Sequence, residues 1–417
     1  MHLLDCQPRA GTRSRARSRR LRPASALFCA CAMGPVLAAN PAPADGWDFG
    51  GAIRGRYDLR FTDAASDGTR RTSEHLSFDT LLLTAAYRSD TWYGAAQYRF
   101  YGGSFLYDAG YRNYPGEISF PVYAYVGRHF GANDSVSVGL QAVPFDDTFW
   151  GSAFLNSLGF VYGMEETYNL GAVYQHQGER LSSTFGVFPG AVSNAFGLSE
   201  DSARYSVNLV KADPSVPAGT RTTERNMVAG RLQYVTGQEG MPRYTFTGSG
   251  WYSTVHNART GRDGERRALA FSAKVEQGHW HGKLLAAWQD IDNGDPSAPD
   301  QITVGNYDAP FNIATRGTLG FAEVGRRMDT GRLPFRVDLY ANYARFFKTV
   351  PGQRDTQRLN IGAFWSDNAT GRIRVWSELL VGRNDPFVGA GQYSNGAAAG
   401  GDDRYKASLL MVFGYYF

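Results

Sequence analysis

The chain has 417 residues with 43% hydrophobic, 20% charged and 14% aromatic content, which supports a large core and excludes a disordered or collagen-like polypeptide. After residue 40, charged residues, Gly and Pro interrupt every apolar run before the roughly 18 residues a spanning helix needs, so a polytopic helical membrane protein is excluded. The formal charge of +4 belongs to the first forty residues and says little about the rest.

Those residues read as an export signal over 1–39. Arg9, Arg13, Arg15, Arg17, Arg19, Arg20 and Arg22 make a basic leader, and the short apolar stretch 24–37 ends in the small residues Ala38 and Ala39, with cleavage expected after one of them. The competing reading is lipid attachment at Cys31, against which stand Phe28 in the place of the usual Leu and the shortness of the apolar run. All three cysteines, Cys6, Cys29 and Cys31, lie in this leader, so the mature chain of 40–417 has no thiol for a disulfide or a thiolate metal site. Cleavage leaves 36 basic against 38 acidic residues, a net charge of about −2, which removes the compositional argument for a nucleic-acid partner.

The mature chain opens on alternation with period two. Trp47, Phe49, Gly51, Ile53, Gly55, Tyr57, Leu59 and Phe61 point one way, and Asp48, Arg54, Arg56, Asp58 and Arg60 the other. Further strands follow at 74–88, 91–102, 118–130, 134–144, 166–177, 180–189, 225–235, 242–255, 267–277, 279–290, 317–328, 334–347, 357–366 and 372–381. The last runs from Tyr405 to Phe417 with apolar residues on alternate positions, making sixteen in all. Tight turns fall at Ser89 and Asp90, 131–134, 177–179, Gln277 and Gly278, Thr330 and Gly331, and 367–371. Long loops at 103–117, 190–224, 291–316 and 382–403 alternate with them, and the weakly alternating 203–211 extends one loop as an extra hairpin arm. The abundance of Tyr, Phe, Trp and Gly, at 24, 26, 8 and 49 residues, fits a mostly β chain. Strands of ten or more residues with one oily face survive in hydrocarbon only if the sheet closes, because an unpaired amide there costs several kcal/mol. The expectation is an all-β, transmembrane antiparallel barrel of about 16 strands with short periplasmic turns. Trp92, Tyr87, Phe130, Trp280, Phe335 and Trp365, beside the short turns, are its candidate interfacial girdle.

The closing segment Leu409, Leu410, Met411, Val412, Phe413, Gly414, Tyr415, Tyr416, Phe417 resembles the C-terminal assembly signal of Gram-negative outer-membrane porins. The run Val138, Gly139, Leu140, Gln141, Ala142, Val143, Pro144, Phe145, followed by Phe149, Trp150 and Gly151, is similar to phosphate-selective and related porins. The resemblance covers nearly all of the mature chain. It implies a trimeric sixteen-stranded barrel in the outer membrane, among lipid and lipopolysaccharide, whose third long loop, here 145–165, folds into the pore as a constriction. Small residues on the first strand, Gly51 and Gly55, would permit close contact between barrels.

A barrel of this size leaves an aqueous lumen. Alternation places Arg54, Arg56, Arg60, Arg99, Arg231, Arg243, Lys274, Lys283, Arg336, Arg358, Arg372, Arg374, Arg404 and Lys406 on its inner face, against Asp48, Asp58, Asp79, Glu276, Asp338 and Glu378; the strand 317–328 is ambiguous and left out. A wall with this excess concentrates anions, which predicts passive diffusion of small hydrophilic or anionic solutes with a mild anion preference. Pairing of these arginines with acids or with lipopolysaccharide phosphates is their structural alternative. In the constriction loop, Asp146, Asp147, Glu165 and Glu166 face Arg54, Arg56 and the other wall cations in this reading, or else cap turns. Trp150, Phe154 and Phe160 pack the loop on the wall or meet a sugar ring. A phosphate- or carbohydrate-specific channel is the second reading and an outer-membrane barrel enzyme the third. No nucleophile elbow, phosphate loop or zinc helix occurs, so no cofactor or catalytic residue is expected. His279 and His281 share a strand face without a third ligand, and 290–295, acidic as it is, lacks the Gly and Glu positions of a calcium loop.

Overall fold

The computed structural model describes residues 45–64, 69–103, 110–155, 157–237, 240–331, 333–391 and 393–417; the expected leader and its cysteines lie outside them. The elements in order are β1 (Gly46–Ala64), β2 (Arg70–Arg88), β3 (Trp92–Tyr101), β4 (Ile118–Phe130), β5 (Asp134–Ala142), α1 (Leu158–Val161), β6 (Tyr168–Gln177) and β7 (Leu181–Ala191). Then come β8 (Asn208–Leu209), β9 (Thr222–Thr236), β10 (Arg243–Asn257), β11 (Arg262–Gln277), β12 (Trp280–Ile291), β13 (Gln301–Asn306) and β14 (Ala309–Ala314). The chain finishes with β15 (Arg316–Asp329), β16 (Phe335–Lys348), β17 (Thr356–Asp367), β18 (Ile373–Arg383) and β19 (Tyr405–Tyr416).

Sixteen of these strands close into one antiparallel barrel, each paired with its neighbours and β1 with β19, while β8, β13 and β14 form a separate three-stranded sheet. The seam runs from Ala52 opposite Tyr416 to Arg60 opposite Ser408. The last residue completes it: the Gly51 amide donates to the Phe417 carbonyl at 2.9 Å and the Phe417 amide to the Gly51 carbonyl at 3.0 Å. No row of free N–H and C=O groups is left at an edge, as hydrocarbon requires. The expected turns all lie at the end of the barrel where β1 begins and β19 finishes, and Gly131, Gly278, Gly331 and Gly371 supply the left-handed backbone four of them need, with φ between 55° and 72°.

The outer face is apolar and solvent-accessible. Trp47, Phe49, Trp92, Phe130, Leu181, Trp280 and Phe417 ring the short-turn end, and Leu170, Leu232, Leu269, Phe271, Leu284, Val324 and Ile361 fill the band beyond. Of the expected girdle, Trp92, Phe130 and Trp280 are exposed, while Tyr87, Phe335 and Trp365 are half-buried. Arg128 lies over Trp92 and Phe130, and Arg326 over Trp280, at 5.2 to 5.6 Å. Gly51 and Gly55 are not open patches for another barrel. A Cβ at Gly51 would meet the Phe417 ring at 2.7 Å and one at Gly55 the Phe413 ring at 2.4 Å, so these glycines seat the aromatic rings of the neighbouring strand.

Two loop expectations change in detail. In the segment 203–211, Asn208 and Leu209 pair with Val304 and Gly305 of β13, and Lys211 at its end forms an isolated antiparallel bridge with Arg221, flanked by bonds from the Ala212 amide to the Thr220 carbonyl and from the Thr222 amide to the Val210 carbonyl. The loop 291–316 holds the hairpin β13–β14, which packs Ile302, Val304, Phe311 and Ile313 into the largest buried apolar cluster. Satisfying backbone groups by pairing lets these loops bury themselves.

Candidate functional site

Between β5 and β6 the chain does not run over the surface. Residues 143–167 cross the lumen and bond to the opposite wall. Asp146, with a positive φ of 51°, donates its amide to Ser249 Oγ of β10 at 3.0 Å and accepts Arg231 Nη1 of β9 on its carbonyl at 2.8 Å. Its carboxylate takes the Ser272 hydroxyl of β11 and the Lys283 ammonium of β12, the latter at 2.5 Å. Asp147 accepts from the same ammonium at 3.0 Å. Farther along, the Ser152 amide and hydroxyl each donate to Glu323 of β15 at 2.8 Å, and the Phe154 and Leu155 amides donate to Glu378 of β18 at 2.5 and 3.1 Å. Two wall carboxylates thus satisfy the donors of a loop with no strand partner.

The returning limb is short and packed. Ser157 caps the single turn α1 by accepting the Gly159 amide at 2.9 Å, and Trp150 and Phe160 are buried. Tyr162 stacks on Phe346 with 3.6 Å between centroids and an angle of 10°, and its hydroxyl reaches Thr356 at 2.8 Å and the Ala397 carbonyl at 3.0 Å. Arg266, 1% exposed, lies over Trp251 at 4.7 Å and donates to the carbonyls of Tyr162 and Gly163, each at 3.0 Å. At the long-loop end, the Asn312 and Ala314 amides of β14 bond Ser394 and Ala397 in the loop 384–404. Arg358 of β17 grips Asp385 of that loop through two bonds of 2.6 and 2.7 Å.

What the folded-in loops leave open is a cavity of about 230 Å³ on the side of β1, β3 and β18. Arg54, Arg56, Arg60, Arg99 and Arg374 line it, with Glu165 and Glu166 from the loop and Asp79 from β2. Arg54 pairs with Asp79 at 2.9 Å and Arg56 with Asp58 at 2.7 Å. Arg99 donates to Gln97 at 2.6 Å and to the Tyr101 hydroxyl at 3.2 Å. Three of these guanidiniums lie over rings: Arg54 on Phe154 at 5.1 Å, Arg99 on Tyr205 at 4.4 Å and Arg374 on Tyr416 at 4.2 Å.

The remaining residues singled out in the sequence lie elsewhere. Lys283 and Arg358 are buried in the loop attachments just described. Lys274 sits 3.6 Å from Glu276, half in solvent, and Arg336 is exposed at the short-turn end of β16. Asp146 and Asp147 face Lys283, not the arginines of β1. Glu165 and Glu166 share the cavity with those arginines, and both have further partners. Glu165 accepts the Trp150 amide at 2.6 Å and the Ser157 hydroxyl, and Glu166 accepts the Tyr205 hydroxyl at 2.6 Å. Burial pushes Glu165 up to about 7 against these donors and the attraction of Lys283. Burial also works to raise Asp147, yet the charge and hydrogen bond of Lys283 outweigh it and hold that carboxyl below the usual range.

Alternation missed several contributors. Arg266 falls one residue before the strand expected at 267–277. Tyr205 belongs to the weakly alternating 203–211, whose pattern does not give its place in the lumen, Tyr307 to the turn between β13 and β14, and Glu323 to the strand whose two faces are both apolar enough to conceal its register. Inward Leu410 and Val412 of β19, with Tyr340, Phe364, Trp376, Leu380 and Val388, form a second buried cluster against which Phe154 and Leu155 pack. His281 bonds Asp338 at 2.9 Å, and among the described residues no group of three or more His, Cys, Asp or Glu could hold a metal ion. In the acidic turn, Asp292 accepts the Gly294 amide and Asp295 the Ser297 amide, at 2.9 and 3.0 Å.

No protein-family model matches the chain, and no curated protein matches it. Solved structures share its fold. It is similar to the outer membrane channel DcaP of Acinetobacter baumannii, at 11% identity and a TM-score of 0.58, over 90% of this chain and 98% of that one. The anion-selective porin from Comamonas acidovorans aligns over 89% of this chain and 100% of that one, at 13% identity and a TM-score of 0.54. OmpF of Salmonella typhi, in complex with daunomycin, aligns over 90% and 98% at 10% identity, again with a TM-score of 0.54.

Proposed function

We propose that this porin-like barrel is an outer-membrane channel through which small hydrophilic solutes diffuse passively, with a preference for anions. The observation that carries this reading is the cavity's composition: five arginines against three acids, while Lys283 and Arg358 are spent on holding loops. Fixed cations between low-dielectric walls raise the local anion concentration and lower the entry barrier, an effect of tenfold or more on encounter in focused sites. Charge does this without covalent chemistry, so the proposed mechanism is permeation down a gradient. The channel is proposed to reach the outer membrane through the signal at 1–39, to lie there among lipid and lipopolysaccharide, and to assemble as a homotrimer.

Reversal potential under a salt gradient tests the sign: a tenfold potassium chloride gradient across a planar bilayer holding the purified protein should give a chloride-directed potential. A cation-directed potential overturns the reading. A channel specific for one solute is the second reading, favoured by the hydrogen-bonded loops that occupy much of the lumen.

A further inference from the structure

We propose that the arginine-lined cavity is a binding subsite for small anions carrying a flat conjugated ring, aromatic carboxylates above all; this rests on the channel reading and adds a solute class to it. The first observation is the seating of the cations beside rings. A guanidinium next to an aromatic face presents its N–H donors beside apolar ring surface, so a carboxylate can take the donors while a ring attached to it meets the neighbouring aromatic side chains. Arg54 on Phe154, Arg99 on Tyr205 and Arg374 on Tyr416 repeat this arrangement around one space.

The second observation is the apolar part of the wall. Phe154, Phe364, Trp376 and Tyr307 reach the same cavity, and Phe154 and Phe364 lean on Trp376 with centroids 5.4 and 4.6 Å apart. A hydrated path for chloride or phosphate has no use for ring faces; a solute with its own apolar face covers them and removes that area from water. The third observation is the state of the acids. Asp79 is paired to Arg54, Glu165 holds the Trp150 amide and Ser157, and Glu166 holds Tyr205. A neutral sugar, whose hydroxyls need acceptors as well as donors, meets carboxylates already engaged, whereas an anion needs donors alone, and a guanidinium has five N–H groups, of which the contacts of Arg54 and Arg99 use one and two. A cavity of about 230 Å³ is smaller than the ~300–1,000 Å³ of drug-sized ligand sites, which sets the scale at one or two rings.

The test measures chloride current through single channels in a planar bilayer during titration with benzoate, cyclohexanecarboxylate, acetate, benzamide and maltose. Benzoate is expected to reduce or interrupt the current at a concentration at least tenfold below that of cyclohexanecarboxylate or acetate, with benzamide and maltose weaker than benzoate by the same factor. Trp376→Leu and, independently, the loop variant Phe154→Leu should each remove the tenfold advantage of benzoate over cyclohexanecarboxylate in channels that still conduct chloride; an advantage retained in both would overturn ring recognition. Equal half-block concentrations for the three carboxylates would overturn ring recognition and leave the anion channel standing. Block by maltose below that of benzoate would overturn it in favour of a sugar site. A chloride-directed potential missing from the unmodified protein would sink the channel reading itself, a result separate from either of these.

Discussion

Lys283 carries the clearest quantitative consequence, because one ammonium neutralises two loop carboxylates. Its side chain is 6% exposed and that of Asp146 is fully buried, whereas Asp147 is 32% exposed. In Lys283→Met the Asp146 carboxylate stays buried with the Ser272 hydroxyl but without a cation, a change that costs about 3–5 kcal/mol in buried pairs. The contact to Asp147, partly in solvent, adds no more than ~1 kcal/mol. In Asp146→Asn the Ser272 bond can persist and Lys283 keeps Asp147, so the loss is smaller, about 1–2 kcal/mol. Removing both charges together should cost less than the two losses combined, by at least ~1 kcal/mol, since neither partner is then stranded. Heat unfolding of the detergent-solubilised barrel reads the stability, and single-channel recording reads the loop. Lys283→Met is expected to lower the unfolding midpoint, to make the open current noisier and to shift the reversal potential toward cations. A variant with unchanged midpoint and quiet current, or strict additivity in the double variant, would refute the argument that this pair holds the loop.

Three further outcomes follow from the same reasoning. Glu165, with its carboxyl raised to about 7 inside the folded protein, contributes stability that is full below its unfolded value near 4.5 and is lost as pH rises through 7; unfolding midpoints should fall between about pH 5 and 8, Glu165→Gln should flatten that fall, and anion preference should strengthen on the acid side. Arg358→Met strands the buried Asp385 carboxylate, a loss on the order of 3–5 kcal/mol, and proteolysis within 384–404 should become faster than in the unmodified barrel. A Cβ at Gly51 would sit 2.6 Å from the Leu82 carbonyl and 2.7 Å from the Phe417 ring, so Gly51→Val should cost about 1–3 kcal/mol and reduce the heat-modifiable folded fraction on gels.

The barrel was readable because its physics is periodic. Burial of one face and hydration of the other forces alternation at Trp47, Phe49, Ile53 and Phe61 against Arg54, Arg56 and Arg60, and sixteen repeats of that rule, with glycines at the turns, leave little freedom in topology. The site was readable only by face. Alternation says that Lys283 and Arg54 both point inward, but not that Lys283 lies under Asp146 while Arg54 opens onto a cavity, since depth and position around the barrel depend on stagger between strands. The β13–β14 hairpin and the aromatic residues Tyr205 and Tyr307 were illegible for a different reason. They pack among other loops, and runs as short as Ile302, Thr303, Val304 or Phe311, Asn312, Ile313 alternate over too few residues to mark a strand or the surface it will meet.

The way the loop 143–167 is fastened has a consequence for the route of a solute. Its hydrogen-bonded anchors are Ser249, Ser272 and Lys283 on one arc of the cylinder and the carboxylates of Glu323 and Glu378 farther round, whereas toward β1 Phe154 lies under Arg54 beside the cavity. The cavity is therefore eccentric, hugging a single flank of the tube: changes along β9 to β12 should alter how tightly the bridge is moored, and changes along β1 and β3 should alter the lining of the space beside it.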